Sequence, residues 1–296
     1  MCTAFKYKQY FCRNYDYEQS YKETVKLIPK NIYGNTYGII GIATGLVEDY
    51  PLLYDGMNEY GLCMGGLAFS GNAKYEKEEN VPYGDYIYAP YEFILQILGN
   101  FKNVRDVKKH LEKAHIIDKQ YSDDFQNSDL HWIISDKEKS IVVESTNNGL
   151  QVYDNEYEVL TNNPPFSMMS KSIENNLKWI GCEDDEIADE RYYSRGFETE
   201  YLDGSYTSMG RFERVTYLKE KALTNDRITA LTQAVHLLSS IEQIYGATPV
   251  DDKYEYTIYS AIYDMVENKV MIRTYDRTMY LTYLDLNETE PVTFNI

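Results

Sequence analysis

The order of strand-like and helix-like patterns limits the folds that this chain of 296 residues can adopt. Strand patterns come first, followed by two helical patterns, further strands, two more helical patterns and a last group of strands. Strands grouped in this way favour antiparallel sheets with helices stacked on their outer faces, because a parallel sheet requires strands and helices to alternate. The sequence therefore predicts an α+β fold, in one domain that spans residues 1–296.

The individual elements follow from the spacing of apolar residues and from turn residues. Predicted strands cover residues 2–12, 38–47, 61–69, 130–135, 140–145, 150–153, 158–162, 254–263, 269–276 and 279–285. Predicted helices cover residues 89–98, 103–114, 211–223 and 227–243. Residues 50–59 are rich in turn formers and are predicted to form a turn. Residues 167–210 are polar and poorly periodic, which predicts long loops with a short helix near 173–179.

Three residues within these elements allow a more specific prediction. Asn103 is expected to be the N-cap of the second helix, because its side chain can accept a hydrogen bond from the first turn. Gly65 and Gly66 lie inside a predicted strand. They are consistent either with a bulge or with close approach of a ligand to the backbone.

The charge of the chain excludes one large class of partners. There are 47 acidic and 29 basic residues, for a net charge of -18. This charge opposes binding to nucleic acid phosphates and to an anionic membrane face. If the substrate is itself an anion, individual arginines in a pocket must supply the attraction.

The cysteines and histidines give no metal-binding pattern, so we expect no metal and no other cofactor. There is no CxxC motif, and no apolar run is long enough for a membrane span or a signal peptide, which favours a reducing cytoplasm. Apart from Cys2, we expect the cysteines to be structural and the histidines to be structural or solvent-facing. These residues are Cys12, Cys63, Cys182, His110, His115, His131 and His236.

The first four residues, Met1-Cys2-Thr3-Ala4, carry the clearest chemical signal. Removal of Met1 would leave Cys2 with both a thiol and a free α-amine. Such an amine has a pKa of about 7.7 to 8.0 and can serve as a base near neutrality. Cys2 would then hold a nucleophile and its activating base in one residue, the requirement of acyl transfer.

Further motifs follow these four residues along nearly the whole chain. They are Arg13-x-x-Asp16-Tyr17-Glu18, Asp49-Tyr50-Pro51, Tyr54-Asp55-Gly56-Met57-Asn58-Glu59, Leu130-His131-Trp132, Ser140 to Thr146, Leu160-Thr161-Asn162-Asn163-Pro164, Arg211-Phe212 and Tyr254-Glu255-Tyr256-Thr257-Ile258-Tyr259-Ser260. With them the chain resembles the choloylglycine hydrolase family, which contains bile salt hydrolases and penicillin V acylases. The resemblance implies the N-terminal nucleophile hydrolase fold, a four-layer αββα sandwich of antiparallel sheets.

The resemblance also implies roles for four side chains near the thiol. Cys2 would be the nucleophile, and Asp16 would hold its α-amine. Arg13 would lie close to the sulfur and favour the thiolate, which is the form that attacks. Arg211 matches a second arginine of the family site. Without the resemblance, Arg13 and Asp16 fit a surface ion pair, and Arg211 fits a charge at a helix start.

Two donors for the tetrahedral oxyanion are implied in the same way. Asn162 matches a residue whose side-chain amide donates to the oxyanion, although it also fits a turn before Pro164. The second donor would be the backbone N–H of Ala68, which any residue type can supply. Bile salt hydrolases usually have Asn at this position and penicillin acylases often have Tyr, so Ala68 departs from both patterns.

The implied substrate is a small amphipathic amide, a bile salt conjugated to glycine or taurine. Tyr15, Phe69 and Arg195 are the expected substrate contacts, and Arg195 would attract the anionic head group. Penicillin V is the alternative substrate, and a non-catalytic amphiphile-binding protein is the alternative of another class. The resemblance further implies a homo-oligomer, with the tetramer as the form common in the family.

Overall fold

The computed structural model describes residues 1–176, 199, 202–277, 282–285 and 292–295. The two predicted positions Cys182 and Arg195 lie outside these ranges. Within the described residues, no helix has the length and apolar character needed to cross a membrane.

The first sheet holds seven antiparallel strands among the described residues. In order across the sheet they are β12 (Val159–Leu160), β1 (Cys2–Tyr7), β2 (Tyr10–Tyr17), β14 (Lys253–Asp264), β15 (Lys269–Thr274) and β16 (Thr282–Asp285), with β13 (Thr248–Val250) paired to β14. The N-terminal strand β1 therefore lies inside the sheet, between strands from the middle and the start of the chain.

The second sheet holds eight antiparallel strands in the described part of the chain. In order they are β11 (Gly149–Asp154), β10 (Ser140–Thr146), β9 (Leu130–Ser135), β6 (Cys63–Ala68), β5 (Leu53–Asn58), β4 (Ile39–Ala43), β3 (Thr24–Ile28) and β17 (Val292–Asn295). A short parallel pair stands apart and consists of β7 (Tyr86–Tyr88) and β8 (Ala114–Ile116).

Helices cover the outer faces of the two sheets. Among the described residues, the α-helices are α1 (Phe93–Asn100), α2 (Val104–Leu111), α3 (Phe166–Asn176), α4 (Ser208–Lys221) and α5 (Ala230–Ser239). The first two pack on the second sheet, and α4 and α5 pack on the first sheet, with α3 beside α4. Side chains from the inner faces of the two sheets fill the space between them. These layers confirm the predicted αββα sandwich of antiparallel sheets.

The predicted turn at residues 50–59 is wrong, because Leu53–Asn58 forms β5 inside the second sheet. Its turn-forming residues are explained by long-range contacts. Gly56 lies against the backbone of β4, where a Cβ atom would come within 2.9 Å of the Ile40 carbonyl. Asn58 donates to the Leu98 and Phe101 carbonyls at the end of α1, both at 2.7 Å.

Several element boundaries also differ from the prediction. The single strand predicted at 2–12 is a hairpin, with a turn at Lys8, whose φ is 52°. The short helix predicted near 173–179 begins earlier, at Phe166, and residues 177–179 lie outside the described ranges. Strands β3, β7, β8, β13 and β17 were not predicted, since most are short or polar. The Asn103 cap is confirmed, because its side chain accepts from the Asp106 N–H at 2.9 Å.

An ion pair between Arg13 of β2 and Asp55 of β5 connects the two sheets. Only 1% of the Arg13 side chain and none of the Asp55 side chain is exposed. Arginine Nε lies 3.2 Å from Oδ2 of Asp55, outside hydrogen-bond geometry, while Nη1 donates to the Tyr54 carbonyl at 2.7 Å. Two β14 hydroxyls donate to the carboxylate, that of Tyr259 at 2.5 Å to Oδ2 and that of Tyr263 to Oδ1.

Gly65 makes room for this ion pair. A Cβ atom at Gly65 would stand 3.0 Å from Nη1 of Arg13 and 3.7 Å from Cβ of Asp55. The group that approaches this glycine is therefore the Arg13 guanidinium, whereas the sequence interpretation considered a ligand or a bulge. Burial raises the pKa of Asp55 above its usual value, although the Arg13 charge and the tyrosine hydroxyls oppose this rise.

We predict that Asp55→Asn lowers the free energy of unfolding by about 3 to 5 kcal/mol, because it leaves the Arg13 charge buried without its counter-ion. Urea denaturation followed by circular dichroism measures the change. Asp154→Asn is the matched control. It removes an exposed carboxylate that contacts Lys108 at 2.6 Å, and it should cost less than about 1 kcal/mol. Equal effects of the two variants would contradict the role assigned to Asp55.

Candidate active site

Cys2 begins β1, opposite Tyr15 on β2. The residue is 5% exposed, and its side chain lies on the same face of the sheet as those of Arg13 and Tyr15, toward the second sheet. Nη2 of Arg13 lies 3.6 Å from the Cys2 sulfur and donates to it. The predicted neighbourhood of thiol and guanidinium is therefore present in the structure.

The Arg13 guanidinium keeps its charge at this buried position. Burial opposes the charge, but attraction from Tyr259, Cys2 and Asp55 outweighs this effect and raises the pKa of the guanidinium above its usual value. A fixed positive charge within hydrogen-bonding distance of sulfur favours the thiolate over the thiol. The Arg13 guanidinium thus contacts the Cys2 sulfur through Nη2, while its Nε faces the Asp55 carboxylate.

Asn162 connects three parts of the molecule through its side-chain amide. Its Oδ1 accepts from the Cys2 backbone N–H at 2.7 Å and from Nη2 of Arg211 at 2.9 Å. Its Nδ2 donates to the Ala68 carbonyl at 2.9 Å. Because both groups facing Oδ1 can only donate, they establish which end of the amide carries the oxygen. One hydrogen of Nδ2 is used by Ala68, and the amide group has a second.

Ala68 is the last residue of β6, next to Asn162. The following N–H, that of Phe69, donates to the Asp129 carbonyl in the direction of β9, at 2.8 Å. Successive backbone groups of a strand point to opposite edges, so the N–H and carbonyl of Ala68 both point away from β9. Since that carbonyl meets Asn162, the Ala68 N–H is directed to the same side as the Asn162 amide.

Arg211 in the first turn of α4 extends onto the backbone of β1. Its Nη1 donates to the Cys2 carbonyl and to Oγ1 of Thr3, both at 2.6 Å. The same Nη1 lies 3.9 Å from Oδ2 of Asp16. Burial lowers the pKa of Arg211 from its usual value, while the charge of Asp16 opposes the decrease. The helix thereby anchors the first two residues of β1.

Asp16 is buried beside this arginine, but its carboxylate does not contact the α-nitrogen of Cys2. It accepts from Oγ1 of Thr257 at 2.6 Å and from Nε2 of Gln243 at 3.0 Å. Burial raises the pKa of Asp16, and Arg211 and these hydrogen bonds oppose the increase. In this chain, which still carries Met1, the α-nitrogen of Cys2 is held by Asn162. The role assigned to Asp16 remains a prediction for the chain without Met1.

The amine of Met1 has its own partners at this end of the sheet. It donates to the Asp16 carbonyl at 2.8 Å and lies 2.8 Å from Oε1 of Glu255. Gln243 connects the two acidic residues, because its Nε2 also donates to Oε1 of Glu255 at 2.9 Å. A positively charged amine is therefore accommodated next to Cys2.

The expected substrate contacts differ in their surroundings. Tyr15 stacks on Tyr54 and Tyr259, with ring centroids 4.8 Å and 5.2 Å apart, next to Arg13. Phe69 is fully buried and stacks on His131, with centroids 4.4 Å apart, so its ring is part of the core. Arg195 lies outside the described residues.

Several residues of this site had no role in the sequence interpretation. They are Thr3, Asp55, Ser208, Gln243, Glu255 and Tyr259. Among them, Ser208 contacts the site through its Oγ, which accepts from the Asn162 N–H at 2.9 Å. Thr3, Asp55, Glu255 and Tyr259 lie within the stretches that carry the family resemblance, which was the available signal. Among the described residues, no group of three His, Cys, Asp or Glu side chains is placed to hold a metal ion.

Comparison with known proteins identifies the family of this chain. Residues 1–294 match the model for linear amide C–N hydrolases of the choloylglycine hydrolase family. A bile salt hydrolase/transferase of Lactiplantibacillus plantarum is 39% identical over 318 residues, which cover 99% of this chain and 96% of the relative.

Solved structures share the fold over nearly the whole chain. A variant of conjugated bile acid hydrolase from Clostridium perfringens has a TM-score of 0.88 and 29% sequence identity, with 100% of this chain and 97% of that chain covered. A penicillin V acylase from Agrobacterium tumefaciens has a TM-score of 0.75 and 17% identity, with 99% and 90% covered. The latter similarity shows the fold alone.

We predict that the double variant Arg13→Gln with Asp55→Asn slows alkylation of Cys2 by iodoacetamide at pH 7 by about tenfold or more, because the charge beside the sulfur is lost. The double variant leaves neither buried charge unpaired. Peptide mass spectrometry measures the rate at Cys2 separately from Cys12 and Cys63, which are fully buried.

Arg105→Gln is the control for a charge far from the thiol, since Arg105 is exposed and 4.0 Å from Glu138. It should leave the alkylation rate unchanged. A folded double variant that alkylates as fast as the parent would show that Arg13 does not activate the thiol.

Proposed function

This chain belongs to the choloylglycine hydrolase family of linear amide C–N hydrolases, and from that premise we propose that it hydrolyses the amide bond of bile salts conjugated to glycine or taurine through an acyl-enzyme on Cys2. The observation that carries the proposal is the contact of the Cys2 sulfur with Nη2 of Arg13, in the same cluster as Asn162 and Arg211. A buried thiol that contacts a charged donor, in a residue whose backbone N–H is held by an amide, is suited to acyl transfer.

In the proposed reaction, removal of Met1 exposes the α-amine of Cys2, which takes the thiol proton. The thiolate attacks the carbonyl carbon, and the carbonyl electron pair moves to oxygen. The amide of Asn162 and the N–H of Ala68 donate to this oxyanion. The carbonyl then re-forms, the C–N bond breaks, and the departing amine takes the proton from the α-ammonium group.

Water completes the cycle. It gives a proton to the α-amine as it attacks the thioester carbonyl, and the sulfur leaves as thiolate. The products are the free bile acid and glycine or taurine. Throughout these steps Arg13 remains the counter-charge of the sulfur, and Arg211 holds the backbone that carries it.

The acidic head group of the substrate requires local positive charge, because the chain has a net charge of -18. Arg195 is our proposed contact for this group. Tyr15 is the proposed contact for the apolar part of the substrate near Arg13, since its ring stacks on two other tyrosines beside the thiol.

Penicillin V is the second candidate substrate. Ala68 favours keeping it, because this residue stands where bile salt hydrolases usually have Asn. The same nucleophile and oxyanion donors would then act on a phenoxyacetyl amide. A non-catalytic amphiphile-binding protein remains the candidate of another class, and in that case the arrangement around Cys2 would have no chemical use.

We also propose a cytoplasmic location and a homo-oligomer, with a tetramer as its form. The location is supported by Cys2, Cys12 and Cys63, which are all free thiols, as a reducing compartment would keep them. Size-exclusion chromatography with light scattering measures the assembly state directly.

The first experiment compares turnover of a glycine conjugate, a taurine conjugate and penicillin V, measured as released amine or side-chain acid. We expect the conjugates to have the larger kcat/KM. Intact mass should show that Met1 is absent, and Cys2→Ser should lower turnover by a factor of at least about a hundred. Retained Met1 in active protein, or full activity of Cys2→Ser, would contradict the proposed chemistry.

A second experiment addresses the oxyanion. Asn162→Ala should lower kcat about a hundredfold or more and change KM little, because the lost donor acts mainly in the transition state. Asn163→Ala is the matched control, since this neighbouring amide donates to the Ser70 carbonyl at 2.9 Å. It should stay within about threefold of the parent. A normal kcat for folded Asn162→Ala would show that Asn162 serves only as a turn residue before Pro164 and does not donate to the oxyanion.

A further inference from the structure

A fully buried histidine lies directly behind both proposed oxyanion donors. His131 is on β9, and its Nε2 lies 2.8 Å from the Thr161 carbonyl, which belongs to the peptide unit that leads into Asn162. The imidazole ring stacks on Phe69, the residue after Ala68, with an angle of 8° between the rings. One side chain thus contacts the neighbour of each donor.

Glu144 on β10 holds the other ring nitrogen. Its Oε1 lies 3.1 Å from Nδ1 of His131 and accepts from the Phe166 N–H at 2.9 Å. Phe166 is the first residue of α3, so Glu144 and His131 together contact both ends of the segment 161–166. Asn162 lies within that segment. The pair therefore acts on the position of the amide from both directions along the chain.

The hydrogen-bond pattern specifies the protons of the pair. A carbonyl can only accept, so Nε2 of His131 carries a hydrogen that points at Thr161. The contact between Nδ1 and Glu144 must hold one further proton. With both nitrogens engaged, the ring cannot rotate without losing a buried hydrogen bond.

We propose that His131 and Glu144 are positioning residues that hold the Asn162 amide and the Ala68 backbone at the separation that the oxyanion requires. Neither side chain touches the substrate. The proposal rests on the proposed function, and it adds residues that act through Thr161 and Phe69. Replacing both side chains by an apolar pair of the same size would change stability little, whereas removing one partner also destabilises the fold, so turnover is compared with alkylation in folded protein.

Two substitutions at His131 separate its contacts. A glutamine side chain can place its amide nitrogen where Nε2 of histidine stands, whereas an asparagine amide reaches only the position of Nδ1. We expect His131→Asn to lower kcat by about thirtyfold or more, with KM within about threefold. His131→Gln should recover most of this loss because the hydrogen bond to Thr161 is kept.

Alkylation of Cys2 by iodoacetamide distinguishes a positioning role from a general loss of structure. A general loss of structure would change alkylation and turnover together, whereas a loss of positioning should change turnover alone. The sulfur displaces iodide in this reaction and no oxyanion forms, so both variants should alkylate within about twofold of the parent. His236→Asn is the control for the substitution itself, since His236 is exposed on α5. It should change neither turnover nor alkylation.

Glu144→Gln supplies an independent test if His131→Asn fails to fold. In this variant the glutamine oxygen that accepts from the Phe166 N–H also faces Nδ1 of His131. A neutral imidazole has one N–H, so it can donate to this oxygen or to the Thr161 carbonyl, but not to both. We expect a fall in kcat of the same kind, again with alkylation retained.

The outcomes distinguish this inference from the proposed function. A full kcat for folded His131→Asn, equal losses in His131→Asn and His131→Gln, or parallel losses of turnover and alkylation would overturn the positioning role while the parent remains an active amidase. Absence of amide turnover in parent protein that lacks Met1 would overturn the proposed function, and the positioning role with it.

Discussion

The ion pair between Arg13 and Asp55 is the contact on which both the fold and the site depend. It crosses the space between the sheets, where the other inward side chains are mostly apolar, and it is surrounded by two tyrosine hydroxyls and a backbone carbonyl. An apolar pair of similar volume could give equal stability, since burying two charges is costly. The guanidinium also faces the Cys2 sulfur. The proposed chemistry of the thiol therefore accounts for a charge at this position better than stability does.

The site lies where three layers of the molecule meet. The first sheet contributes Cys2, the second contributes Ala68 and the outer helical layer contributes Arg211, and the amide of Asn162 contacts all three. An amide suits this position because it has acceptor and donor ends, each able to form two hydrogen bonds. A carboxylate could not donate to Ala68. The geometry of the reacting groups therefore depends on the relative position of the layers, and small shifts between sheets would be felt at the thiol.

Much of the fold could be predicted from the sequence, because the grouping of strands and helices is a local pattern that survives along the whole chain. The family resemblance then brought Cys2, Arg13, Asn162 and Arg211 to one place, as the structure also does. The failures have a common cause. Strand β5 was missed because its polar residues are satisfied by partners far along the chain. The two side chains that donate to the Asp16 carboxylate likewise come from positions more than 200 residues away. Local periodicity in the sequence cannot predict contacts between residues so far apart.

The position of β14 beside β2 determines when the site can exist. The two tyrosines that hold Asp55 lie near the end of the chain, while the cysteine stands at its beginning. Contacts between residues so distant in sequence form late, and in a chain leaving the ribosome they cannot form before the last strands have been synthesised. During synthesis the guanidinium of Arg13 therefore lacks the full network of Asp55 and the two tyrosines until β14 has been added. Side chains of a late strand thus fix the guanidinium that faces the first residues of the chain.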